Sequence, residues 1–164
     1  MECFVYWLRG RLRVSQGERG FISASLGIGI LGAVLAYVGT SQLSGEISML
    51  DRVNPFAYWT IFAGLVGGLV GFFAGYRRWL GHAGALGWIR AIFGALMISL
   101  IGAVVAGTMI LPYYGTMFAP FQVILMMIET PLLAVVWFAM ILSAHCMILQ
   151  WRQERDSIFA PQVG

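Results

Sequence analysis

Four long apolar runs constrain the fold of this chain more than any other feature. They cover residues 21–40, 57–76, 86–111 and 121–149. A helix needs about 20 mostly apolar residues to cross the hydrocarbon core of a bilayer, and each run reaches that length. None of the runs shows the alternating pattern of barrel strands. The sequence therefore predicts an all-α integral membrane protein, built as a bundle of four transmembrane helices.

The composition of the chain agrees with this fold class. Charged residues make up 10% of the 164 residues, and the mean hydropathy is +0.84. Water-soluble domains carry about 25% charged residues. We therefore expect one membrane domain over residues 1–164, with the lipid bilayer as its first partner. The few basic residues are scattered between apolar runs, which excludes the clustered basic face of a nucleic-acid-binding protein.

The arginines predict how the helices are oriented in the membrane. The chain has no lysine, and nine of its ten arginines flank the apolar runs on one side. The short flanks of spans on the cytoplasmic side are enriched in basic residues. This pattern predicts that both termini are cytoplasmic, and a bacterial inner membrane is the expected location. The nine arginines are Arg9, Arg11, Arg13, Arg19, Arg77, Arg78, Arg90, Arg152 and Arg155.

The N-terminal part allows two interpretations, a signal peptide or a retained helix. The first apolar run is longer than the core of about 7–15 residues in signal peptides, and no small-residue cleavage site follows it. We therefore interpret it as a retained span. Before it, residues 1–14 place apolar side chains on one helical face and arginines elsewhere, which predicts a short interfacial helix.

The second apolar run contains a glycine pattern, GLVGGLVGFFAG. Gly67, Gly71 and Gly75 recur every four positions, and Gly64 and Gly68 form an overlapping pair. Such a glycine zipper lets another helix approach closely, backbone to backbone. Two interpretations stay open, packing within the chain and contact with another subunit or a second copy.

Small residues in the other runs offer surfaces that match this glycine pattern. The third run carries a stripe of them at helical spacing, and the first run carries a shorter one. Both stripes are expected to pack against the second helix, which would lie near the centre of the bundle. The stripes are Ala91, Ala95, Ser99, Ala103 and Gly107, and Ser25, Gly29 and Ala33.

An acidic residue interrupts the fourth run, in the segment MMIETPLLAVVW. Counted from Phe121 at about 1.5 Å per residue, Glu129 would lie roughly 12 Å along the helix. A carboxylate there is expected to face the bundle, pair with a donor or stay protonated. Pro131 would kink the helix, and a carbonyl freed near Met127 would accept a hydrogen bond from Thr130 or from a protonated Glu129.

Three interpretations of Glu129 stay open. It is a proton or cation site, a polar contact with a partner subunit or cofactor, or a structural hydrogen bond that fixes the kink. Acidic residues within spans are often functional. The isolation of Glu129 weakens the first interpretation, because no other acid or arginine lies within the middle of a span to form a pathway with it.

His145 is the other ionisable side chain within the fourth run. It lies 16 positions after Glu129, about 24 Å along one helix, so the two residues cannot share a site. A membrane histidine can ligate haem, chlorophyll or a metal. A second ligand is not evident, so a structural imidazole is favoured and the cofactor question stays open. Cys3 and Cys146 have neither disulfide-framework nor zinc spacing.

Catalytic patterns are missing from the sequence. There is no nucleophile elbow, zinc-protease motif, phosphate-binding loop or pair of carboxylates. We therefore predict a non-enzymatic membrane protein, an accessory subunit or assembly factor that packs against other transmembrane subunits or itself. The alternative is a small oligomeric transporter or channel that uses Glu129.

Overall fold

The computed structural model describes residues 15–44 and 55–159, and all regular structure in these ranges is α-helical. The predicted interfacial helix over residues 1–14 lies outside the described residues. Five helices follow one another within these two ranges. They are α1 Gln16–Ser44, α2 Pro55–Trp79, α3 Ala85–Ile110, α4 Tyr114–Glu129 and α5 Pro131–Phe159.

Four of these helices are long and apolar enough to cross a membrane, which confirms the prediction of a helical membrane bundle. The candidate spans are Gln16–Gln42, Pro55–Trp79, Ala85–Ile110 and Pro131–Ser157. The remaining helix, α4, has 16 residues and is not among them. The chain is thus an integral membrane protein with four candidate spans in its described part.

The predicted boundaries of the fourth span, 121–149, are wrong. The helix breaks at Thr130, so the span starts ten residues later than predicted, at Pro131. Thr130 has φ −123° and ψ 82°, because a following proline disfavours the helical conformation. Pro131 then opens α5, where its missing N–H removes no helical hydrogen bond. The proline separates two helices rather than kinking one.

The spans form a bundle in which α2 packs between α1 and α3, and α5 packs mainly against α1. Because successive spans alternate in direction, the described arginines all lie at one end of the bundle. We call this the arginine end, and the other the opposite end; the cytoplasmic location of the arginine end stays a prediction. The arginines are Arg19, Arg77, Arg78, Arg90, Arg152 and Arg155.

The short helix α4 lies across the opposite end of the bundle. Its first turns contact the end of α3, where Gly115 packs against Gly107. Its second half contacts the end of α1, where Gln122 packs against Gly39. Since α3 arrives at this end and α5 leaves from it, α4 connects the two without crossing the bundle.

Bulky side chains fill the core towards the arginine end. The largest fully buried apolar side chains there include Phe72, Leu80 and Ile148. The ring of Phe21 on α1 lies 5.7 Å from that of Phe72 and 5.0 Å from that of Trp151, between centroids. The aromatic contacts therefore join α1, α2 and α5 at this end. Towards the opposite end, glycine and alanine dominate the interior instead.

Candidate functional site

The glycines of α2 contact the neighbouring helices of the same chain. Towards α1, a Cβ built at Gly68 would lie 2.6 Å from the carbonyl oxygen of Ile28, and one at Gly64 would lie 2.6 Å from the Cβ of Ala36. Cβ atoms do not approach other atoms this closely. These two positions of α2 therefore need glycine for the backbones of α1 and α2 to meet.

Towards α3, the other three predicted glycines have the same role. A Cβ at Gly67 would lie 2.9 Å from the Cβ of Ala106, and one at Gly71 would collide with the carbonyl oxygen of Ile98. A Cβ at Gly75 would lie 2.5 Å from the Cγ1 of Ile98. The chain's own helices thus occupy both glycine faces of α2, and neither face is open to another subunit.

The face of α3 that meets α2 differs from the predicted stripe. The closest contacts come from Ile98, Gly102 and Ala106, one position away from the stripe. Ser99 instead accepts a hydrogen bond from Trp137 Nε1 at 2.8 Å, and Gly107 packs against α4. The predicted packing face of α3 was wrong because glycines and alanines occur around most of the helix. Their spacing alone therefore does not indicate which face contacts α2.

Of the other predicted stripe residues, Ala95 is buried in the core and Ala103 lines a cavity inside the bundle. Gly32 on α1 is not among the predicted packing residues, yet it meets the backbone of Gly64 and Gly68. It could have been found from its spacing, because it lies three positions from the predicted Gly29.

Glu129 is the last residue of α4 and is exposed. It makes no hydrogen bond or ion pair with any residue that the structure describes. The expectations that it faces the bundle interior and lies roughly 12 Å down a spanning helix are therefore wrong. The position calculated from the rise per residue was wrong because α4 runs across the end of the bundle instead of into it.

Both backbone polar groups of Thr130, at the break, are hydrogen-bonded. The N–H of Thr130 donates to the carbonyl of Met126 at 2.9 Å, and the carbonyl of Thr130 accepts from Leu133 N–H at 3.0 Å. The carboxylate of Glu129 takes no part in these bonds. The interpretation that Glu129 fixes a kink through its hydrogen bond is thus contradicted in the part of the chain that the structure describes.

Two adjoining spaces lie beside α4. A cavity of about 110 Å³ lies inside the bundle, between the glycine-rich parts of α1, α2 and α3 and the inner side of α4. A larger bowl of about 580 Å³ lies between α4 and the ends of α1 and α3, and Glu129 is among its lining residues. The predicted polar residue and the predicted glycines thus border one region of the molecule.

His145 lies far from this region, near the arginine end, and is completely buried. Its Nδ1 accepts a hydrogen bond from the N–H of Gly81 at 3.1 Å, and its ring centroid lies 5.0 Å from that of Trp88. Its Nε2 has no partner among the described residues. His145 thereby fastens the turn between α2 and α3 to α5.

This hydrogen bond argues against a metal or haem ligand at His145. In a neutral ring whose Nδ1 accepts from Gly81, the proton is on Nε2. A metal at Nε2 would need the lone pair there, which would leave an N–H on Nδ1 facing the N–H of Gly81. Within the described ranges, no group of three or more histidine, cysteine, aspartate or glutamate side chains has the geometry of a metal site.

The last turns of α5 carry polar groups that cap two other helices. Arg152 donates to the carbonyl oxygens of Tyr76 and Arg77, at 3.3 and 2.7 Å, at the C-terminus of α2. Glu154 accepts from the N–H of Gly17 at 2.8 Å, at the N-terminus of α1. A cation at a helix C-terminus and an anion at an N-terminus are both favourable. These residues therefore hold the arginine end together.

His82 lies in the same turn, between α2 and α3. Burial, followed by the positive charges of Arg152 and Arg90, lowers the pKa of His82 below its usual value of 6.5. Its Nδ1 is buried without a partner among the described residues. The arginine end is thus polar and basic, whereas the region of Glu129 is apolar with one acid.

Fold and site geometry together define the class of this chain as a polytopic α-helical membrane protein. Comparison with protein-family models, with curated proteins and with solved structures finds no match for it. Its function is therefore inferred from its own residues.

Proposed function

We propose that this protein is a non-enzymatic accessory subunit or assembly factor of a larger membrane complex, in a bacterial inner membrane. The observation that carries the proposal is the outer surface of α4. This surface is built from bulky apolar side chains on a helix that does not span the bundle. Its exposed members, with the preceding tyrosine, are Tyr113, Tyr114, Met117, Phe118, Phe121, Ile124, Leu125 and Ile128.

The surface of α4 has the composition of a protein contact. Aromatic residues and methionine are enriched in protein–protein interfaces, and α4 is not among the candidate membrane spans. Tyr113 and Tyr114 are 85% and 73% exposed, so almost none of their surface is used within the chain. The contact is expected at α4 rather than at the glycine faces of α2, which are already filled.

The distribution of ionisable groups favours this proposal over the alternative of a transporter that uses Glu129. A proton or ion pathway needs a relay of polar groups across the bundle. The described residues that line the interior cavity include no acidic, basic or histidine side chain. Among the described residues, this cavity therefore adds no acidic, basic or histidine side chain that could take a proton or ion onwards from Glu129.

The test is co-purification in mild detergent, with two pairs of phenylalanines compared. The variant Phe118→Ala with Phe121→Ala truncates the α4 surface, and Phe62→Ala with Phe93→Ala truncates exposed side chains on α2 and α3. We expect stoichiometric partner proteins with the wild type and the control, and about a tenfold loss with the α4 variant, since aromatic side chains near an interface centre dominate affinity. Abundance should stay equal in all three.

A chain that purifies without any stoichiometric partner would contradict the proposal. So would an α4 variant that retains its partners as fully as the control variant. A homo-oligomer free of other proteins would favour the transporter or channel alternative.

A further inference from the structure

We propose that the opposite end of the bundle holds a binding site for a small amphipathic amine. Its ammonium group is held at Glu129 and its hydrocarbon part enters the interior cavity. This inference goes beyond an accessory role, and it rests on the cavity, the bowl and Glu129. The bowl shares Tyr114, Phe118, Phe121 and Leu125 with the outer surface of α4.

The interior cavity is suited to hydrocarbon. Its floor consists of glycines that bring the backbones of three helices together, Gly32, Gly64, Gly68 and Gly102, and side chains such as Ile98 and Ile141 form its walls. A buried water needs two to four polar partners, whereas apolar cavities of about 150 Å³ take up benzene-sized molecules. At about 110 Å³, this cavity fits a few carbons of a chain or a small ring.

The bowl continues from the cavity towards the surface. The two spaces share several lining residues, so they adjoin around the inner edge of α4. Gln122 is among the shared residues and is held in place by its hydrogen bond to the carbonyl of Gly39, at 2.9 Å. The proposed ligand would therefore pass these shared residues on its way from the bowl into the bundle. The shared residues are Thr40, Gly107, Ile110, Ala119, Gln122 and Met126.

The charge of the bowl selects the head group. Glu129 is the only acidic residue among its described lining residues, and none of those residues is arginine or histidine. A phosphate or carboxylate would meet a like charge and, among the described lining residues, no counter-charge. An ammonium would meet a carboxylate that has no partner among the described residues. The bowl therefore favours a cation.

Aromatic side chains in the bowl strengthen this preference. Tyr114, Phe118 and Phe121 all line it, and aromatic faces attract ammonium groups, most strongly where water is excluded. Ligand sites of about 300–1,000 Å³ with a few convergent polar groups are typical of small molecules. With about 580 Å³, the bowl is large enough for an amine head and the first carbons of its chain.

The experiment measures equilibrium binding of octylamine to the full chain in phosphatidylcholine nanodiscs, with empty discs subtracted and octanol as the uncharged comparison. We expect saturable octylamine binding that Glu129→Gln weakens about tenfold or more, a loss of about 1.4 kcal/mol. Octanol binding should not change with this variant. Asp156→Asn, an exposed acid at the arginine end, is the matched control and should bind octylamine normally.

The cavity is tested separately from the charge. Val123 lines the cavity, whereas its neighbour Ile124 is exposed. Val123→Phe should therefore weaken the binding of both octylamine and octanol, whereas Ile124→Phe should weaken the binding of neither. Each variant is first checked for a single size-exclusion peak and a wild-type melting temperature. If Val123→Phe misfolds, the comparison of octylamine binding between Glu129→Gln and the wild type tests the site.

Competition identifies the natural source of the amine. Loss of octylamine binding in phosphatidylethanolamine discs would assign the site to an aminophospholipid head group, and unchanged binding to a free amine; both support the ammonium site. Equal octylamine binding by Glu129→Gln and wild type, or no saturable binding by a well-folded protein, would overturn it. Neither result bears on co-purification, so failure here is distinct from failure of the accessory role.

Discussion

The helices α2 and α4 are both strongly apolar, yet the bundle uses them in opposite ways. In α2, glycines on two faces let α1 and α3 approach to backbone contact, and eight of its residues are buried. In α4, bulky side chains dominate and only Met126 is buried. The two helices show that small residues, rather than hydrophobicity, decide which apolar helix becomes the centre of a membrane bundle.

The physical reason is that lipid already satisfies an apolar side chain. Burying a leucine or phenylalanine between helices gains no hydrophobic free energy in a membrane, so helices associate through close packing and hydrogen bonds. Gly67 and Gly71 give α2 such packing along its length. α4 docks through Gly115, the buried Met126 and two side-chain hydrogen bonds, between Thr116 and Thr108 and from Gln122 to Gly39. Most of its bulky side chains are exposed.

The strongest test of this contrast is Gly71→Leu. Its side chain would collide with the carbonyl of Ile98 and the backbone of Gly102, so α3 would have to move away from α2. Overpacking typically costs about 1–3 kcal/mol even where side chains can adjust. The backbone that the new leucine side chain would meet cannot adjust in this way. We expect most of the folded protein to be lost, measured as the monodisperse yield and the melting temperature.

The matched control is Ala74→Leu, at an exposed position of the same helix. It should melt like the wild type. If Gly71→Leu also kept its yield and melting temperature, close packing of α2 would not be what holds the bundle together.

A smaller effect is expected from Gln122→Leu in α4. The substitution removes the hydrogen bond from Gln122 Nε2 to the carbonyl of Gly39, at 2.9 Å. Side-chain hydrogen bonds within membranes are worth about 0.6 kcal/mol on average, so the loss of stability should be of that order. Reversible unfolding in mixed detergent measures it, with Phe121→Leu at the neighbouring exposed position as control. A loss as large as that of Gly71→Leu would show that α4 is as central as α2.

The smallest effect concerns pH and the turn that ends α2. The pKa of His82 is lower in the folded chain than its usual 6.5, so acid protonates the unfolded chain first. Stability should therefore fall as the pH drops below 6.5, the usual pKa of histidine, towards the lower pKa of His82 in the folded chain. Comparing the melting temperature at about pH 7.5 and about pH 5.5, His82→Asn should reduce the decrease slightly. An unchanged or larger decrease would contradict the assignment to His82.

The sequence alone determined the class of the protein and most of its helices. The lengths of the apolar runs and the low charge are local properties, and they fix a helical membrane protein because every backbone polar group in lipid must be paired within its own helix. The arginines, too, were visible as clusters at the ends of runs. The sequence predicts a kink at Pro131 rather than two helices, because a proline indicates that a helix is interrupted but not by how much the chain turns.

Only the tertiary structure decided which residues meet. Glycines at 64, 67, 68, 71 and 75 were visible in the sequence, but α3 meets α2 through Gly102 and Ala106 instead of the predicted stripe. The prediction that Glu129 lies on a spanning helix was wrong for a related reason. Distance along a helix is set by residue count, whereas the direction of that helix is set by what it packs against, here the ends of α1 and α3. Residues of α4 line both the bowl and the cavity beside Glu129, because α4 lies across the end of the bundle instead of extending α5.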